Sequence, residues 1–328
     1  MSRKRRQERK SKADRTDYRR FLVRFSLSAL ALYVAASLLP ESVYAPFNEL
    51  TAAHTGLLLG AFGLPSIARG EYLSAGGFPV RIIPECTPLF MILLFGSFLF
   101  SFPAAAKDRI KGLLFGVPFL VAANLLRLCL TVAVGAVKPS WFTWLHVYLG
   151  QVWSVLVVLG ACLAWVRWGA GTGKSTATGR FLILFAAAAS VLFIAWVPLN
   201  RGYVMAGDVL LRFFFSLFGA GLLFSYGHEI YYQTVNLVVF GALVLADDGM
   251  KWAVKFRGLL IGAAVLMPLH LVFRLLNVFH TAYGLTASVP AGQAVHLTAQ
   301  FLLPVILWLA VGGGQSIRRQ LIPSRVTS

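Results

Sequence analysis

Apolar runs almost free of charge, recurring along nearly the whole chain, limit what this sequence can fold into more than any other feature. Residues 21–39, 89–106, 112–137, 141–166, 181–199, 230–246, 258–279 and 297–311 form eight such runs, none with more than one charged side chain. About 20 apolar residues in a helix cross the ~30 Å hydrocarbon core of a bilayer. Backbone surrounded by lipid must satisfy its own hydrogen bonds, so these runs are expected to be helices. The expected fold class is an all-α integral membrane protein with about eight transmembrane helices. Composition agrees: 58% of the 328 residues are hydrophobic, 13% are charged, and the mean hydropathy is +0.74.

The formal charge of +18 invites a nucleic-acid reading, but its distribution excludes one. Eleven of the thirty Lys and Arg lie in the first 24 residues. With that arm, including Arg24 at the start of the first run, on the cytoplasmic side, that side carries 23 in total, against five on the outer side and two, Arg127 and Arg274, deep within runs. That asymmetry is the positive-inside bias. The implied partners of the charge are anionic membrane lipids, not nucleic acid. The first run lacks a small-residue cleavage site and follows a long basic arm, so it is expected to be a retained anchor and not a removed signal peptide. Cys86, Cys129 and Cys162 make no disulfide framework, and only Cys86 stands at the edge of a run, on the outer face by this topology.

The chain also resembles itself. "RIKGLLFG" at 109–116 is echoed by "KFRGLLIG" at 255–262, Arg127 in "NLLRL" by Arg274 in "FRLL", and His146 by His296. Two parallel four-helix repeats follow, with short interfacial or re-entrant helices on the outer side at 55–65 and 210–223. The expected divisions are a basic cytoplasmic arm (1–20), a first membrane half (21–168), a cytoplasmic linker (169–180), a second membrane half (181–311) and a cytoplasmic tail (312–328). Carrying the Cys86–Arg109 interval into the second half ends near Gln233, so that half has no cysteine and reads as a degenerate copy.

Cys86, Arg127 and His146 share the outer side of the first half. An arginine inside a span costs about 2.5–3.5 kcal/mol on insertion, so it faces the bundle interior and marks function. A cysteine thiolate is the reactive form, favoured by a helix N-terminus or a nearby cation. Thr87 and Pro88 read as the N-cap and first residue of the helix that follows Cys86. Histidine can exchange protons with a thiol and a leaving group, and arginine can stabilise a developing oxyanion. Together the three point to hydrolase or transferase chemistry. No cofactor and no metal site is expected: "GHEIYYQ" at 227–233 has Tyr232 where a second zinc ligand would stand. "GAGTGKST" at 169–176 has Trp168 where a phosphate loop needs its first glycine.

At these residues the sequence resembles the exosortase/archaeosortase family of polytopic membrane proteins. The resemblance is carried by the Cys of "PECTPLF", the Arg of "NLLRL" and the His of "HVYLGQ", and it covers roughly residues 21–168. It implies a transpeptidase-like cysteine peptidase of the bacterial cytoplasmic membrane. Its partners would be exported proteins whose C-terminal sorting signal joins a short motif, a transmembrane helix and a basic cluster. It further implies Cys86 as nucleophile, Arg127 as transition-state stabiliser and His146 as proton donor or acceptor. Two other functions compete: a polytopic transporter, which would place its polar residues at the midplane, and a non-catalytic envelope-assembly factor in which Cys86 is incidental.

Overall fold

The computed structural model describes residues 3–169, 176–219, 221–224, 231–286 and 288–314. The linker motif at 170–175, the His228 motif and the tail beyond residue 314 lie outside the described residues. Among those described, five helices are long and apolar enough to cross a membrane. They are the Tyr18–Ser37 part of α1 (Arg3–Ser37), α4 (Ala106–Val137), the combined stretch Pro139–Arg167, the Gly179–Ser216 part of α7 (Thr176–Ser216), and α9 (Trp252–Thr281). A sixth crossing results if Ala291–Gln300 and Leu303–Ala310, bent by 49°, form one span.

The expectation of eight spans is not matched among the described residues, for a reason of length. The runs at 89–106 and 230–246 yield only α3 (Leu89–Ser101, 13 residues) and α8 (Asn236–Ala246, 11 residues). At 1.5 Å per residue these reach roughly 20 and 16 Å, well short of the hydrocarbon thickness. They are core elements instead. Val239, Ala242, Leu243 and Val244 of α8 are fully buried, as expected of a helix apolar all round, with α7, α9 and α11 (Leu303–Ala310) packed about it. α3 sits likewise against α1, α4 and α6 (Ser154–Gly169). At one end of this group Phe98 and Phe102 meet Phe21 and Trp165 edge-on, with ring centroids 5.5 to 6.2 Å apart.

A common order of elements runs through both halves. A 3₁₀ turn (Pro84–Cys86; Tyr232–Thr234) leads into a short buried helix (α3; α8), then a long helix with an internal proline (Pro118 in α4; Pro268 in α9). Each ends in a helix interrupted by one π turn: α5 (Pro139–Tyr148) to α6 across Leu149–Trp153, and α10 (Ser288–Leu297) to α11 across Thr298–Leu302. Helix approach is set by glycine at matching points. A Cβ at Gly116 would overlap the Phe95 ring, and one at Gly262 would overlap the Phe240 ring.

One element is absent from the all-α expectation. Between α2 (Glu41–Ala61) and the Cys86 turn lies a three-stranded antiparallel meander: β1 (Ser66–Arg69), β2 (Tyr72–Ala75) and β3 (Phe78–Arg81). Two-residue turns join the strands, and Gly70, Gly76 and Gly77 supply the positive φ values (57°, 56° and 80°) that such turns require. Leu73 and Ala75 point inward, buried, while Tyr72 and Ser74 face out. The run 55–65, expected to be an interfacial or re-entrant helix, is instead the end of α2 and the approach to β1. The outer stretch from 210 onward begins as a continuation of α7, which is unbroken to Ser216.

The glycine contacts are testable. Gly116→Ala and Gly262→Ala should each destabilise the detergent-solubilised protein by about 1–3 kcal/mol, the cost of overpacking a core. Gly160→Ala, with nothing within 4 Å of its Cβ position, should not. Thermal unfolding of the three variants checks this.

Candidate active site

The chain reaches Cys86 from the meander. Ile82 N–H still bonds to the Glu71 carbonyl at 2.8 Å, after which the 3₁₀ turn closes with Cys86 N–H to Ile83 O (2.8 Å) and Thr87 N–H to Pro84 O (3.1 Å). The Thr87 hydroxyl donates to the same Pro84 carbonyl at 2.7 Å. α3 begins only at Leu89, with Pro88 as its cap residue, one position later than the sequence suggests. Cys86 therefore stands ahead of the helix in a turn of its own.

α4 supplies the next groups. Asn124 and Arg127, three apart and hence on one face, both reach the Cys86 carbonyl: Asn124 Nδ2 at 2.9 Å and Arg127 Nη2 at 3.1 Å. Both side chains are buried. Arg127 Nε has no hydrogen-bond partner, and among the described residues no carboxylate lies within ion-pair distance of the guanidinium. Burying such a charge costs several kcal/mol. One charge-assisted hydrogen bond, worth about 1.5–3 kcal/mol, does not offset that. The arginine is thus held short of partners, as a group poised for an acceptor that arrives from elsewhere.

The third wall is the interrupted helix. Its π turn brings Gly150 close enough that a Cβ there would lie 3.8 Å from Arg127 Nη1, and Trp153 Nε1 donates to the Ala123 carbonyl of α4 at 3.2 Å. π turns frequently mark functional positions. His146 lies in the last turn before it. Its ring stacks on Phe142 (5.3 Å, 15° between planes), and Phe142 in turn meets Phe78 of β3 at 5.0 Å. Gly135 of α4 leaves the room that Phe78 and Phe142 occupy.

The structure therefore joins Cys86 to Arg127 through the Cys86 carbonyl and sets His146 within electrostatic reach of Arg127. No hydrogen bond among the described residues links His146 to the thiol. The thiol itself is closed off, 4% exposed, in an apolar cluster with Ala52, Leu59, Leu73, Ala75, Ile82, Leu128 and Val132. Burial pushes its pKa up, Arg127 opposes this, and the carboxyl of Glu85 adds to the rise. Burial also raises Glu85, with Glu41 contributing. The thiolate character expected from a helix N-terminus is not realised here, because the helix starts three residues later and three apolar residues of the meander segment cover the sulfur. Asn124 and the meander escaped the sequence reading. The Gly-Gly pair between alternating residues in "YLSAGGFPVR" carried a hairpin signal, and Asn124 lies one turn before Arg127.

The same turn recurs in the second half, where Thr234 N–H and Oγ1 both donate to Tyr231 O, at 3.1 and 2.9 Å. Gln233 occupies the position of Cys86. Arg274 is tied by two bonds of 2.9 Å to Asp208, both buried. His296 packs against Phe273. Among the described residues no three His, Cys, Asp or Glu converge as metal ligands.

Residues 18–165 match the family model of the transmembrane exosortases. The matched segment holds Cys86, Asn124, Arg127 and His146 and stops before the second half. No curated protein and no solved structure matches the chain.

Alkylation of the thiol tests the closed geometry. Cys86 should react slowly with iodoacetamide in the resting protein, and the rate should climb with pH to a half-point above the ordinary thiol range, since a raised pKa leaves less thiolate at neutral pH. Phe78→Ala, which loosens the meander, should raise the rate at pH 7 by roughly tenfold as local opening becomes easier. Mass analysis of the Cys86 peptide reads both.

Proposed function

We propose that this chain, whose residues 18–165 match the family model of the transmembrane exosortases, is a multi-pass membrane enzyme of protein sorting that cleaves C-terminal sorting signals at Cys86. The substrates are exported proteins ending in a short motif, an apolar helix and a basic tail. The site faces the outer side of a bacterial cytoplasmic membrane, with the basic arm inside. The observation that carries this is the buried Arg127, without a carboxylate partner among the described residues and bonded to the backbone of the cysteine, inside the matched segment.

The chemistry follows from the groups present. The thiol hydrogen passes to His146, the sulfur attacks the scissile carbonyl, and the C–N bond breaks as His146 returns the proton to the leaving amine. An acyl-thioester on Cys86 remains, released by water or by an amine. Arg127, with a spare Nε and a fork of donors, stabilises the oxyanion, while Asn124 fixes the carbonyl of the nucleophile's own residue. The closed thiol means that substrate arrival must displace the meander, and Phe78–Phe142 contact ties that movement to the setting of His146.

Trimming of a tailed protein in cells carrying each variant provides the test. Cys86→Ala should abolish it with membrane insertion intact. Arg127→Lys, which keeps charge but loses the planar fork, should slow it by roughly a hundredfold or more, the loss typical for an oxyanion donor. Cys129→Ala and Cys162→Ala should trim normally. Normal trimming by Cys86→Ala would end the proposal.

A further inference from the structure

The second half holds a cavity that the Cys86 chemistry does not use. It lies between the outer part of α7 and the middle of α9, has a volume of about 210 Å³, and is lined by Tyr203, Asp208, Gln233, His270 and Arg274 among mostly apolar neighbours. Gly207 makes the helices close enough to form it: a Cβ there would stand 2.9 Å from Leu271 Cδ2. Its rim includes Leu210 and Met267, 55% and 43% exposed, so it opens sideways between two membrane helices. Through the Thr87/Thr234 turns, it occupies the place in its half that the Cys86 centre occupies in the first. There the space is filled by the meander cluster. Here it is open among the described residues.

The polar groups specify the occupant. Asp208 and Arg274 are locked to each other by two bonds, so the cavity offers a cancelled pair of charges and no attraction for a free ion. The Asn236 amide fixes the histidine. Its Nδ2 donates to Ala299 O at 3.1 Å, which leaves Oδ1 to accept from His270 Nε2 at 2.8 Å. Nδ1 of the neutral imidazole then accepts the Tyr203 hydroxyl hydrogen at 2.8 Å. Tyr203 is left with an oxygen that accepts only, in a cavity also lined by the Gln233 amide, which both donates and accepts. A matching ligand is uncharged, mainly apolar, and carries an N–H donor together with a carbonyl. The amide of a polypeptide has both in one apolar segment, whereas the ester groups of a lipid have only acceptors. A dry cavity of about 150 Å³ holds benzene, so 210 Å³ accommodates one large apolar side chain and its peptide group.

We propose that this cavity is a second, non-cleaving docking site for the substrate polypeptide: it holds one apolar residue of the sorting signal, entering from the bilayer, while the scissile bond lies at Cys86. The inference rests on the proposed function in that it takes the tailed precursor as the polypeptide. It gives the second half a role in recognition without chemistry, since Gln233 stands where the nucleophile would and Asp208 neutralises the arginine.

Photocrosslinking tests it. In the full-length Cys86→Ala protein, p-benzoylphenylalanine is placed at Leu210, on the cavity rim, or at Ile83, three residues before the cysteine, in membranes containing a tailed precursor. Capture of the precursor from both positions is expected. Capture from Ile83 with only lipid adducts at Leu210 overturns the second site and leaves the proposed function standing. Capture from neither overturns both. In the protein with Cys86 intact, Ala206→Phe fills the cavity mouth from an exposed position and should slow trimming by at least roughly tenfold, with the Cys86 alkylation rate unchanged. Leu199→Phe, on the exposed apolar surface of the same helix, is the control and should trim normally. Normal trimming by Ala206→Phe overturns the proposal.

Discussion

A buried guanidinium with no carboxylate paired to it among the described residues is the constraint around which the first half is arranged. Arg127 cannot shed its charge, and its position in α4 keeps it from water. What the fold provides instead is backbone: the Cys86 carbonyl, shared with Asn124, with the π turn at Gly150 packed beside the guanidinium. The turn at Pro84–Cys86 exists to present that carbonyl, and the meander above it closes the thiol away from solvent. Reactivity and protection thus come from the same contacts, with the arginine electrostatically favouring a thiolate that burial disfavours.

Arg274 shows what the same residue type does when it is given a partner. Its two bonds to Asp208 satisfy the charge and remove the reason for it to seek an oxyanion. Among the described residues Gln233 stands in the position of the cysteine, and on the proposal above the second half holds a neutral chain without breaking it. A helix order common to both halves, with glycine contacts at Gly116 and Gly262, gives them a matching frame.

Much of this was legible from residues alone. The apolar runs marked the helices because lipid leaves the backbone no other way to be satisfied. Eight long helices are not found among the described residues because hydropathy does not separate a span from a short buried helix, and α3 and α8 are short. Cys86 and Arg127 stood out because each is costly or reactive where it lies. Asn124 did not, since a neutral amide in an apolar run announces nothing until its partner, a backbone carbonyl 38 residues earlier in the chain, is known. Asp208 was hidden for a related reason: its role depends on Arg274, 66 residues away. The meander was missed although Gly76 and Gly77 marked it, because its strands are only four residues long and lie between strongly apolar segments.

The central claim is that Cys86 becomes covalently bonded to the substrate. Mass spectrometry of the enzyme, isolated from membranes turning over a tailed precursor and digested without thiols, measures this directly. The account predicts a peptide containing Cys86 that carries the C-terminal residue of the trimmed protein, as an adduct released by hydroxylamine as a thioester is. An adduct on Cys129 or Cys162, or trimmed product accumulating with Cys86 never acylated, would contradict it.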